Sequence, residues 1–183
     1  MKKILLLALI LFSSLTFAQK LKVTPNGLKD SENSEKSFVV IPVEGKTAKQ
    51  LYDETVKYIN KNYKSAEDVI KGKTEGEYLK FVTYAPKFIS VKNGWDKIPF
   101  NAKFTIELNF KDGKVKYEII ELEMYNDAKY NLSFTGSGLS FFIYNKNGEL
   151  KKEDAKNNIE EYFNGNLLSL TNFIQGKSTE DKW

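Results

Sequence analysis

Phe100–Tyr125, FNAKFTIELNFKDGKVKYEIIELEMY, decides the fold. In its first half Phe100, Ala102, Phe104, Ile106, Leu108 and Phe110 alternate with Asn101, Lys103, Thr105, Glu107 and Asn109. Successive side chains on a strand point to opposite faces, so this pattern gives one apolar face and one polar face. Such a strand belongs to an antiparallel sheet covered on one side. Lys111-Asp112-Gly113-Lys114 is a hairpin turn of the Asp-Gly type. The return strand runs Val115–Tyr125, with Val115, Tyr117 and Ile119 inward. The apolar phase then shifts by one residue to Ile120, Leu122 and Met124, which predicts a β-bulge.

What covers the apolar face is found on either side of this hairpin. Ser37–Val43 is a short β-branched strand. Thr47 with Gln50 forms a capping box, and Leu51, Tyr52, Thr55, Val56, Ile59 and Tyr63 then recur on one face of a helix over 48–63. Asp53 and Lys57 are spaced for an ion pair on the opposite face. Ala66–Lys71 reads as a brief strand and Gly76–Ala85 as a longer one stopped by Pro86, with a loop or wide hairpin connection over Lys87–Pro99. After a Gly136-Ser137-Gly138 kink, Leu139–Tyr144 is strand-like. Asp154–Ile174 is a long helix with the stripe Ala155, Ile159, Tyr162, Phe163, Leu167, Leu170, Phe173 and Ile174. The order is strand, helix, four strands, helix, with a strand-like insertion over 126–150. Two amphipathic helices and one half-apolar sheet make a two-layer α+β sandwich with both helices on one face.

The ends of the chain speak of compartment. Lys2 and Lys3 precede the apolar run Ile4–Phe12, and Thr16-Phe17-Ala18 offers small residues before a cut after Ala18. This is the pattern of a secretory signal peptide over 1–18. The run is about half of the roughly 20 residues a spanning helix needs, so no transmembrane anchor is expected after cleavage. The chain has no Cys, so no lipid can be attached there. Residues 19–36 read as a flexible lead-in, 37–175 as one domain and 176–183 as a polar tail. The product is expected in the periplasm or the medium.

Composition removes whole classes of chemistry. His and Cys are both absent, so no serine or cysteine triad and no imidazole or thiolate metal site can be built. All 28 basic residues are Lys, and losing Lys2 and Lys3 takes the formal charge from +4 to +2. Without Arg, and with so little net charge, nucleic acid is not an expected partner. No cofactor is called for.

Two groups of residues remain as site candidates. Tyr125, Tyr130, Phe134, Phe141, Phe142 and Tyr144 make an aromatic-rich stretch that either lines a ligand groove or adds to the core. Glu118, Glu121 and Glu123 could serve as paired carboxylates, or simply form the solvated face of a strand beside Lys103, Lys114 and Lys116. Catalysis would require two of them in one concave pocket about 5–10 Å apart.

Ile41-Pro42-Val43-Glu44-Gly45-Lys46-Thr47, Gln50-Leu51-Tyr52, Ala66–Ile70 and the hairpin Phe104–Lys116 resemble an exported bacterial family, domain-of-unknown-function family 4468. The resemblance covers roughly 37–125 and, more loosely, the last helix. It implies a TATA-binding-protein-like β-α-β4-α fold and supplies no catalytic residues. Together these readings lead to a non-enzymatic binding or interaction module of the cell envelope, with an envelope protein or small ligand as partner. The competing expectations are a carboxylate-dependent hydrolase of envelope or glycan material and a carrier of a small apolar ligand between sheet and helix.

Overall fold

The apolar half of the alternation in Phe100–Phe110 is realised in full. Phe100, Ala102, Phe104, Ile106, Leu108 and Phe110 are all buried beneath the helices. The computed structural model describes residues 20–177. The expected signal peptide and most of the polar tail lie outside the described residues. The elements are β1 (Leu21–Thr24), β2 (Gly27–Asp30), β3 (Phe38–Pro42), α1 (Ala48–Asn62), α2 (Ala66–Val69), β4 (Ile70–Thr74), β5 (Tyr78–Asn93), β6 (Asp96–Lys111), β7 (Lys114–Tyr125), β8 (Leu132–Gly136), β9 (Phe141–Asn145) and α3 (Glu153–Ile174).

Strands β3-β7-β6-β5-β4 form one antiparallel sheet, and α1 and α3 cover one face of it. The fold is α+β, two layers, as the patterning requires. Thr47 and Gln50 form the capping box that starts α1. Leu51, Tyr52, Thr55 and Ile59 of α1 are buried, as are Ala155, Ile159, Phe163, Leu167, Leu170 and Ile174 of α3. The layers meet through rings: Tyr52 packs edge-on to Phe110 at 5.6 Å and Phe163 to Phe104 at 4.9 Å. Each such side chain removed from water contributes about 1.5–3 kcal/mol. Gly165 does not break α3, because it lies on the solvent side, where a missing side chain costs only helix propensity.

Several local readings are corrected. Residues 20–36 are not a flexible lead-in: β1 and β2 form a hairpin that buries Leu21, Val23 and Leu28. Its strands are four residues each, too short for alternation to register. Its outer edge is satisfied by side chains of α3. Asn164 accepts from the Leu21 amide at 2.8 Å and donates to the Leu21 carbonyl at 2.9 Å, while Glu160 accepts from the Val23 amide at 2.8 Å. Ala66–Val69 is a helical turn and the strand starts only at Ile70. The chain does not leave the sheet at Pro86. Strand β5 continues to Asn93, and Lys87–Pro99 is shared between β5, a tight turn and β6. A wide bulge between the pairs Ala85–Ala102 and Ile89–Phe100 accommodates the proline, which has no N–H to give the ladder. Asp53 pairs with Lys49 at 3.0 Å, and Lys57 with Glu54 at 3.5 Å, rather than with each other. The outer sheet face is less open than alternation implies, since Thr105 and Asn101 are buried there.

Candidate functional site

A bulge in β7 is present, but at Glu121 rather than between Ile119 and Ile120, so Ile120 stays on the outer face opposite Thr105; a cleft opens beside the bulged end. Between the pairs Thr105–Ile120 and Lys103–Glu123, β7 carries one residue more than β6. Glu121 takes φ +52, and its carboxylate accepts the Thr105 hydroxyl at 2.8 Å. Pairing of β7 with β3 ends at Phe38–Glu118. On that side the next contact between strands is the bridge Tyr125–Asn131. Between these points β7 has no strand paired on its outer edge among the described residues.

The turn that follows is held by one side chain. Buried Asn126 accepts from the Tyr130 amide at 2.9 Å through Oδ1, while its backbone N–H donates to the Tyr130 carbonyl at 3.0 Å. Strand β8 then leaves β7 and pairs in parallel with β9. Ser137–Ser140 alone returns the chain between them, where parallel neighbours ordinarily need a dozen residues or more. Gly136 permits this: a Cβ there would sit 2.9 Å from Phe142 Cβ. The N-terminal hairpin props β8 from behind, through Thr135 Oγ1 donating to the Pro25 carbonyl at 2.7 Å and Phe134 lying against Gly27.

A cleft of about 480 Å³ results, lined by Leu122–Tyr125 on one side and Asn131–Phe134 on the other. Met124 and Leu132 are buried and form its floor, Leu122, Tyr125 and Phe134 are half-buried walls, and Glu123 is exposed at the rim. The size is that of a binding pocket, and the lining is mixed, with Leu122, Met124, Leu132 and Phe134 beside Glu123, Asn131 and Ser133.

The aromatic candidates divide. Tyr125 and Phe134 both line the cleft. Phe141 lies edge-on to Phe100 at 5.4 Å and takes exposed Tyr130 against it at 5.9 Å. Phe142 packs over Gly136. Tyr144 is a core strut rather than a surface contact, because its hydroxyl donates to the Val23 carbonyl at 2.9 Å and burial raises its phenol pKa. Leu122, Met124, Asn131, Leu132 and Ser133 were not singled out as site residues. The phase change places Leu122 and Met124 together, but only the path of β8 makes them one wall of a cleft.

The carboxylates do not converge on that cleft. Glu118 stands opposite Glu107, salt-bridged to Lys116 at 2.6 Å and accepting the Ser37 hydroxyl. Burial opposes its ionisation, but the Lys116 and Ser37 hydrogen bonds and the Lys116 charge outweigh burial and hold its pKa below the usual value. Glu121 is tied to Thr105, and of the three only Glu123 lines the cleft, opposite Lys103. Two carboxylates in one pocket, the geometry a glycoside hydrolase needs, are not assembled there. Among the described residues no three Asp or Glu form a group able to hold a metal ion, and no helix is long and apolar enough to cross a membrane.

One antiparallel sheet, with two long helices on the same face in this order, defines the TBP-like class of α+β domains. Residues 38–125 match the family described as a domain of unknown function (DUF4468) with TBP-like fold. It is similar to the crystal structure of a DUF4468 family protein from Bacteroides ovatus ATCC 8483, with TM-score 0.57 and 14% identity over 79% of this chain and 88% of that one. A TBP-like protein from Parabacteroides distasonis ATCC 8503 aligns with TM-score 0.41 and 9% identity over 73% of this chain and 90% of that one. No curated protein matches. At these identities the likeness concerns the fold alone. The family match ends at Tyr125, so one wall of the cleft lies inside the domain and the other outside it.

Proposed function

We infer that this chain is an exported, non-enzymatic binding module that takes an extended apolar peptide segment of an envelope protein into the β7–β8 cleft. The observation that carries this reading is the coincidence of an apolar cleft with an unpaired strand edge between Glu118 and Tyr125. An extended peptide added to such an edge gains main-chain hydrogen bonds from the edge and selectivity from the pockets beside it. Met124 at the floor supplies a side chain that adapts to different occupants. Glu123 at the rim favours a Lys or Arg next to the apolar residue. The bulge at Glu121 limits the edge to a short stretch, which suits a peptide and discourages open-ended sheet pairing.

Export is supported by the Lys2-Lys3, Ile4–Phe12, Ala18 pattern. Fractionation of cells expressing the whole chain, with mass spectrometry of its first residue, tests it. A product beginning at Gln19 outside the cytoplasm is the expected result, and an uncleaved cytoplasmic product refutes it. Binding is tested by selecting from a random 12-residue peptide library on residues 19–183, with Phe134→Asp and Leu122→Glu as controls. Apolar sequences carrying a basic residue should be enriched on the wild type and lost on both variants. Absence of enrichment, or enrichment that the variants share, refutes the cleft as the site.

A further inference from the structure

The hairpin formed by β5 and β6 reaches past the rest of the sheet. Pairing of β7 with β6 stops at Asn101, so Ile89–Asn93 and Asp96–Phe100 continue as a two-stranded ribbon. The base of the ribbon is fixed, with Phe88, Ile89, Val91 and Phe100 buried. The Lys92 amide donates to Asp154 Oδ2 at 3.0 Å, and the Lys152 ammonium donates to the Lys92 carbonyl. Beyond this base all six residues Lys92–Lys97 are exposed, and Trp95 is 104% exposed.

Two features of this tip serve no purpose in the fold. The turn places Gly94 at φ +62 in its first central position and Trp95 in the second, the type II′ arrangement, which demands Gly at the first position and nothing apolar at the second. A large aromatic is spent there on solvent. Lys92 and Lys97 stand directly opposite each other, and like charges so placed oppose pairing of the strands. The Lys152 ammonium, held on the Lys92 carbonyl, adds a third cation. The acidic residues beside these lysines are Asp96, which precedes Lys97, Glu153, which follows Lys152, and Asp154, already engaged by the Lys92 amide.

We propose that this tip is a membrane-surface anchor, with Trp95 inserting at the headgroup level of an anionic lipid bilayer and Lys92, Lys97 and Lys152 facing its phosphates. Trp favours the membrane–water interface because its ring is apolar and its N–H remains wet. Lysines beside it are attracted to anionic headgroups over about a Debye length. The shape selects a bilayer over a protein. A stable protein interface needs roughly 800 Å² from each side, which six residues on a convex tip do not offer, whereas a soft planar surface accepts a single inserted ring. One ring with three cations gives weak, reversible, salt-sensitive attachment of the kind that needs a second signal to become permanent.

The two tryptophans, Trp95 and Trp183, make the test direct. In the mature chain carrying Trp183→Phe, Trp95 is the sole indole and reports its own surroundings. Vesicles of phosphatidylglycerol and phosphatidylethanolamine should shift its emission to the blue, and 0.5 M salt should reverse the shift. Trp95→Ala should lower co-sedimentation with these vesicles at least fivefold, and the double variant Lys92→Gln, Lys97→Gln should lower it comparably. Trp95→Ala should melt like the parent, because the tip buries nothing, and the double lysine variant should melt no lower, because it removes two opposed like charges. No blue shift with the anionic vesicles overturns the proposal. So does an equal shift with pure phosphatidylcholine, a shift produced by inorganic phosphate alone, or unchanged sedimentation of Trp95→Ala.

Discussion

Tyr117→Phe should make this protein more stable. Tyr117 lies in the sheet–helix interface, 1% exposed, and its hydroxyl has no hydrogen-bond partner among the described residues. A buried polar group without a partner costs about 1–3 kcal/mol in lost hydration. Phenylalanine keeps the ring and removes that cost, leaving a gap smaller than a methyl group. The expected gain is therefore about 1–2 kcal/mol, or roughly 2–8 °C in Tm for a domain of this size. Urea unfolding at pH 7 measures it. A second, independent reading comes from alkaline pH. Burial pushes the Tyr117 phenol far above its ordinary value of 10.0, so the folded state keeps its proton while the unfolded chain loses it. The stability tied to that proton is fully present below pH 10 and falls as pH rises, by about 1.4 kcal/mol per unit. The variant should lose that part of the alkaline slope. Tyr78, pushed up to about 12 by burial and by its hydrogen bond to Glu107, titrates in both proteins and cancels in the comparison. A variant less stable than wild type at pH 7, with an unchanged slope above pH 10, would refute the reasoning.

Asn164→Ala removes both hydrogen bonds to the Leu21 backbone and should cost about 2 kcal/mol. Thermal melting gives the total, and faster amide exchange at Leu21 and Val23 would assign it to the hairpin. Gly136→Ala forces a methyl against Phe142 at 2.9 Å, and overpacking of this kind costs about 1–3 kcal/mol; unchanged melting and near-ultraviolet dichroism would show that β8 yields freely. Glu118→Gln should flatten the acid limb of the stability profile. The depressed carboxyl contributes stability above its ordinary value of 4.5, and loses it as pH falls through the lowered folded value. An acid limb identical to wild type contradicts that assignment.

The helices and the central hairpin were legible because their signals are long. Eleven residues of strict alternation in Phe100–Phe110 and the stripe from Ala155 to Ile174 each state a face and a period many times over. The bulge in β7 was legible for the same reason, since a phase change is visible only against a long regular run. Where the reading failed, local preference met a tertiary partner. Pro86 looked like a stop because its missing N–H is fatal in a regular ladder, yet the bulge at Lys87 leaves that position unpaired. Leu21–Thr24 looked unstructured because its pairing groups are completed by Asn164 and Glu160. The cleft was half legible. Tyr125 and Phe134 were named, but that they line one cleft depends on the path of β8 beside β7, and β8 touches Pro25 and Gly27, a hundred residues away in the sequence.

The grip of α3 on β1 has a consequence for the order of events during synthesis. Leu21 and Asn164 are separated by 143 positions, so the first strand emerges long before the helix that completes it exists. Closing so long a loop is slow and entropically costly, and the chain pays that cost only after the sheet has brought its ends together. The N-terminal hairpin is thus expected to lock late. Until it locks, β8 lacks the brace that Pro25 and Gly27 give it.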